Sequence, residues 1–234
     1  MTFKLDLAEK ITAIASNKWA VSAGRVVPDL RAIPLDNTGK TLEACVMYAD
    51  LSGSTELVNR VRPSVAAEIY KAFLHCASQL ITKNEGVIEA YDGDRVMGVF
   101  LGEGKENRAV TAAFQLSRAI ATIVNPTFRL TYTDHEDIKY TVGIDSSELL
   151  VCKAGVRGDS DLIWIGSAAN YAAKLNSFPG LDHGYPLRVS KRVFDSLDGL
   201  KTFQQSGENC WQGPYTDLDP LIHYRSLANL DLPA

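Results

Sequence analysis

Asp50 and Asp94 each stand where a short apolar strand meets a turn. Asp50 closes the run ACVMYAD and is followed by LSGST, whereas Asp94 follows the Asp92-Gly93 dipeptide in GVIEAYDGDRVMGVF. Carboxylates at neighbouring strand ends suit hard divalent cations, since Mg²⁺ usually binds through one or two carboxylates together with substrate phosphates. The small residues Ser52, Gly53 and Ser54 let a phosphate approach the unpaired backbone N–H groups that open the following helix. Taken singly, Asp50 also reads as a helix cap and Asp94 as a turn residue. Together with the strand-to-helix turn, they favour a site for two metal ions and a phosphate.

Positioning two such aspartates requires a sheet, and the patterning supplies one. The strand 44–50 leads into a helix near Ser54, which Pro63 interrupts; a second stretch, Val65 to Ile81, places Val65, Ile69, Phe73 and Leu80 on one face. Two strand patterns joined by Asp92-Gly93 predict a type I′ hairpin in which Asp94 begins the returning strand. A helix fits Glu106 to Val124, strands fit Ile138 to Asp145, Leu149 to Lys153 and Leu162 to Ile165, and a further helix runs from Ser167 to about Ser177. The order β-α-β-β-α-β predicts an α+β, ferredoxin-like split βαβ core.

Ahead of this core, residues 3–21 carry the apolar spacing of an amphipathic helix, and 22–42, with Pro28 and Pro34, read as a connecting loop. The expected division is thus an N-terminal helical extension over 1–42 and one domain over 43–234. The GKT tripeptide at Gly39 is no P-loop, because Pro34 stands where such a loop needs Gly. In the tail after Lys201, the strand-like Leu221 to Leu227 is expected to close a sheet edge.

Composition narrows the partners. The 234 residues are 46% hydrophobic and carry a net charge of −4, with no basic run to track a phosphate backbone, so long nucleic acid is not an expected partner. Cys45, Cys76, Cys152 and Cys210 are far apart and indicate neither a zinc site nor a disulfide framework. No apolar run reaches the roughly 18 residues of a membrane span, and no signal-peptide core opens the chain. A cytoplasmic protein is expected.

Three segments, VMYADLSGSTELV, VIEAYDGDRVMGVF and IGSAANYAAKL, together resemble the class III nucleotidyl cyclases, in family order and over about Ala44 to Leu227. The resemblance implies a catalytic domain working as a head-to-tail homodimer with its active sites at the interface. It implies that Asp50, Asp94 and the backbone carbonyl of Leu51 bind two Mn²⁺ or Mg²⁺ ions, and that the product is a 3′,5′-cyclic nucleotide. The partner protomer would contribute Asn170, to orient the ribose, and Lys174, to stabilise charge on the α-phosphate. The family normally has Arg at the latter position; Lys174 keeps the charge but loses the bidentate fork.

Purine cyclases of this family read the base with two polar positions, which correspond here to Ala90 and Ile163. Neither side chain can form the hydrogen bond, and a site without such groups must select by shape or through other residues. In this the chain is similar to the bacterial antiphage pyrimidine cyclases, which make cyclic UMP or cyclic CMP to activate a companion effector. Tyr48, two residues before Asp50, shares its strand face and is a candidate base contact. The expected activity is a phosphorus-oxygen lyase acting on UTP; a CTP or ATP cyclase, or a non-catalytic nucleotide-binding or dimerisation module, are the alternatives. The tail GPYTDLDPLIHYRSL holds no Lys for the terminal phosphates, and Arg225 is its substitute.

Overall fold

The computed structural model describes residues 2–132, 136–177, 184–202 and 206–233. Its strands are β1 (Ala20–Ala23), β2 (Thr38–Leu51), β3 (Val87–Asp92), β4 (Arg95–Leu101), β5 (Tyr140–Val156), β6 (Asp159–Ile165), β7 (Leu187–Ser190), β8 (Trp211–Leu218) and β9 (Leu221–Ser226). The helices are α1 (Phe3–Ser16), α2 (Ser54–Arg60), α3 (Pro63–Lys83), α4 (Lys105–Ala119), α5 (Asn125–Thr131), α6 (Ser167–Asn176) and α7 (Lys191–Ser196). One sheet runs β3-β4-β2-β5-β7-β9-β8, with β1 added to β2 and β6 to β5. Its segment β3-β4-β2-β5, with α3 and α4 as crossovers, is the ferredoxin-like core.

Strand alternation divides β2 between two cores. Cys45, Met47, Ala49 and Leu51 face Ile69, Phe73 and Ile81 of α3 and Val110 and Phe114 of α4. Ala44 and Val46 face the other way, against Met97, Val99 and Leu149 and three alanines of α6, namely Ala168, Ala169 and Ala172. The alanines let α6 lie low on the sheet, and Gly143 of β5 makes this possible. A Cβ there would stand 2.2 Å from the Ala172 carbonyl and 2.5 Å from the Asn176 N.

Both ends of α6 are tied to the strands beneath. The Ala168 N–H donates to Ser147 Oγ at 3.0 Å, and Thr141 Oγ1 donates to the Asn176 carbonyl at 2.8 Å. With its amide oriented to satisfy the neighbouring carbonyls, Asn176 also donates to Tyr48 O at 3.1 Å and to Thr141 O at 3.0 Å. Buried polar groups of this kind persist only when paired. They fix the helix against β2 and β5.

Several elements depart from the sequence expectation. Residues 22–42 are not wholly loop, because β2 begins at Thr38 and β1, parallel to it, reaches Ala23. All four β1 residues are exposed, so no alternation marked them. β5 is one continuous strand where two were expected; the polar Ser146 and Ser147 mimic a break, but Ser146 Oγ bonds Glu106 Oε1 at 2.6 Å and Ser147 caps α6. The hairpin turn is Gly93-Asp94, since Asp92 pairs with Arg95, and only Gly93 has positive φ (63°), as in a type II′ turn. The helix expected to end at Val124 passes through a π-helical stretch at Ile120–Val124 into α5. Within the tail, β9 pairs with β7, and β8 forms the sheet edge.

Candidate active site

Asp50, the last residue but one of β2, lies on the face that also presents Tyr48, and the β3–β4 turn brings Asp94 within electrostatic reach of it. Burial, and next the Asp94 charge, push the Asp50 carboxyl up to about 6, while Arg95 and the Leu51 N–H pull it down. Asp94 Oδ2 is buried and has no hydrogen-bond partner. An orphaned carboxylate oxygen beside a second, partly desolvated carboxylate is what a divalent cation would satisfy. Leu51 buries its side chain in the opposite core and so leaves its backbone at this site. Among the described residues no cluster of three or more His, Cys, Asp or Glu could hold a metal, so the donor set rests on Asp50 and Asp94.

Sequence reasoning missed Arg95. It opens β4 on the same face as Met97, donates to Asp92 Oδ2 at 2.7 Å, and lies 5.3 Å from the centroid of the Tyr48 ring. Tyr48 Oη donates to the Met97 sulfur at 3.2 Å, which fixes the ring between Arg95 and Met97. Strand parity from the hairpin was the signal that could have found it.

Ser52 and Gly53 border a cavity of about 380 Å³ whose charged lining is Glu56, Glu136, Asp137, Arg60 and Lys139. Gly53 adopts φ 73°, a left-handed conformation natural to Gly, and the Ser52 N–H donates to Lys139 O at 2.9 Å. The cavity adjoins Leu51, Leu57 and Ile69 on the α3 side of the sheet, and Asp50 is not among its lining residues.

Asn170 and Lys174 both project from the exposed face of α6, one turn apart. The charges acting on Asp50 are those of Asp94, Arg95 and Asp92. Within one chain the structure thus brings Asp50 and Asp94 together. Ala90 packs against the α6-side core with Tyr48, and Ile163, 41% exposed, lies on the outer face of β6 opposite Cys152. Arg225 is sandwiched between the Tyr185 ring at 4.3 Å and the Tyr215 ring at 4.8 Å, and donates to Gln212 Oε1 at 3.0 Å.

No protein-family model matches the chain. It is 40% identical over 215 residues to a uridylate cyclase of Xanthomonas perforans, covering 91% of this chain and 90% of that protein. It is likewise 40% identical over 215 residues to a uridylate cyclase of Burkholderia cepacia, covering 91% of each. Among solved structures, the adenylyl cyclase CyaB of P. aeruginosa superposes with a TM-score of 0.68 at 19% identity, over 83% of this chain and 99% of that one. The structural likeness concerns the fold. Among the described residues no helix is long and apolar enough to cross a membrane.

Proposed function

The chain belongs to the nucleotide cyclase family of these uridylate cyclases and has the class III cyclase fold, and from that membership we propose that it converts UTP to 3′,5′-cyclic UMP and pyrophosphate. The observation that carries the chemistry is the Asp50–Asp94 pair, a partly desolvated carboxylate facing one with an orphaned oxygen. Asp50, Asp94 and the Leu51 carbonyl would hold two Mn²⁺ or Mg²⁺ ions. When bound, these would supply Lewis acidity at the ribose 3′-hydroxyl and neutralise charge on the leaving pyrophosphate.

The rest of the work falls to the protein's own groups. The Ser52-Gly53-Ser54 turn receives the terminal phosphates through the Gly53 and Ser54 N–H groups, the Ser52 N–H being held by the Lys139 carbonyl. Asn170 orients the ribose and Lys174 balances the charge that grows on the α-phosphate, both supplied by a second copy of the chain. Tyr48 and Ala90 border the base, and the lack of a polar group at Ala90 favours a pyrimidine over the purines, whereas Ile163 is turned to the outer face of β6, away from Tyr48 and Ala90.

The same reading has the enzyme act in the cytoplasm of a bacterium, its cyclic nucleotide a second messenger of antiviral defence read by a cyclic-nucleotide-activated effector. Its support is the resemblance of the three motifs to the antiphage cyclases. The deciding experiment incubates purified protein with Mn²⁺ and each of UTP, CTP, ATP and GTP separately, and resolves the products by chromatography and mass. Cyclic UMP as the main product is expected. Cyclic CMP or cyclic AMP as the main product would move the chain to another substrate, and no product from any of the four would make it a non-catalytic module.

A further inference from the structure

Asp145 of β5 stands opposite Val46 and so on the sheet face that α6 covers, with 0% exposure. A carboxylate in such a place persists only when paired, and Arg192 of α7 pairs it by donating from Nε to Oδ1 and from Nη2 to Oδ2, each at 2.8 Å. The grip fixes the plane of the guanidinium. Its Cζ lies 5.8 Å from the centroid of the Tyr171 ring on α6, within the range of a cation–π contact. A buried ion pair contributes little to stability that apolar side chains could not supply, so the reach to Tyr171 is what this one adds.

The seating of α6 gives that contact a purpose. Over β2 and β5 the helix presents alanines above Gly143, which bring it close to the sheet but offer no long side chain to key it against rotation about its own axis. Its keys are on one flank. There Leu175 packs with Leu218 and Leu221 at the tip of the β8–β9 hairpin, and Tyr171 packs on the same cluster while Arg192 lies over its ring. Asn170 adjoins Tyr171 and Lys174 follows one turn later, both on the exposed face, so a rotation that moves the Tyr171 ring swings both of them.

From this arrangement we infer that Arg192 is a positioning residue: anchored on Asp145, it holds Tyr171 and thereby sets the rotation of α6 that aims Asn170 and Lys174 into the site of the other protomer. The inference rests on the cyclase reading above and on its division of each site between two copies of the chain. Arg is needed at this position. Only a planar guanidinium can hold a carboxylate with two parallel bonds and lie over a ring at the same time, which the point charge of Lys cannot do.

The test measures turnover by the purified, Mn²⁺-loaded protein on the triphosphate that the wild type cyclises. Arg192→Lys, which keeps a charge beside Asp145, is expected to lower kcat about tenfold, the scale of a misaimed catalytic group. The decisive readout is which second variant rescues it. In a mixed dimer with Asp94→Ala, one site carries both defects and the other neither, so turnover should rise to roughly fivefold above the sum of the separate proteins. Mixed with Asn170→Ala it should gain nothing, because each site then carries one defect. Loss of folding or of dimerisation cannot produce that pattern. If Arg192→Lys does not fold, Tyr171→Leu, which keeps an apolar contact to the hairpin and removes the ring, takes its place with the same expected pattern. Wild-type turnover in the variant, rescue by Asn170→Ala, or rescue by neither would overturn this inference and leave the cyclase reading standing, so long as Asp94→Ala and Asn170→Ala rescue each other. Where those two do not, the shared site falls and the inference with it.

Discussion

On the α3–α4 face of the sheet, β2 meets large aliphatic and aromatic side chains that exclude water completely, with Phe73 and Phe100 at 0% exposure. On the α6 face, the same strand meets only alanines from the covering helix, beside Met97, Val99 and Leu149 of the sheet, and then carries Tyr48 and Asp50 into a partly open cleft with Arg95 and Asp94. The first face holds the fold together by burial. The second spends part of that stability on charges kept close and incompletely paired, the usual condition of a site that binds something else.

The sharpest way to break this contrast is to remove a carboxylate. Asp50→Ala or Asp94→Ala should abolish turnover, a loss beyond roughly 10³-fold, with the melting temperature within a few degrees of wild type. Full activity in either variant would sink the metal assignment. Mixing Asp94→Ala with Asn170→Ala protein should restore measurable turnover, because one site of the mixed dimer then carries both defects and the other neither. No recovery after verified subunit exchange would count against a shared site.

The opposite face should respond the opposite way. Phe73→Ala removes a fully buried ring and is expected to cost about 3–5 kcal/mol of stability, read by denaturant titration. Turnover per folded molecule should stay near wild type at low temperature. A kcat loss at full folding would show that the two faces are not separable. Smaller again, Lys174→Ala should lower kcat by about 10²-fold, the usual cost of one transition-state donor, with little change in stability because the side chain is exposed.

What the sequence made legible divides along the same line. Asp50, Asp94 and the strand–turn–helix around Gly53 stand out because apolar runs end abruptly on turn and capping residues, a local signal. Arg95, Asn176 and Ser147 act across the fold, on Tyr48, on the β2 and β5 carbonyls and on the α6 N-terminus, and no local pattern reports such partners. The Ser146-Ser147 pair looked like a break for the same reason: its hydroxyls are satisfied by α4 and α6, not by water. β1 and β7, four residues each, are too short to show a period.

The smallest effect tests the cost of the open face directly. The Asp50 carboxyl is raised from 3.8 to about 6 in the folded protein, first by burial and then by Asp94. A carboxyl whose pKa is raised on folding binds its proton more tightly in the native state than in the unfolded one. It is therefore costless below the unfolded pKa, and it destabilises the fold progressively as pH rises from about 4 to about 6. Above that window the penalty is constant, and solvent screening at a half-buried site limits it to about 1 kcal/mol. Asp50→Asn should accordingly be more stable than the metal-free wild type at pH 7.5 by about that amount, and equal to it near pH 3.5, by urea titration. Adding Mn²⁺ should reverse the order, since only the carboxylate gains from the cation. A wild type more stable than Asp50→Asn at pH 7.5 without metal would mean that Arg95, and not a bound cation, already neutralises the site.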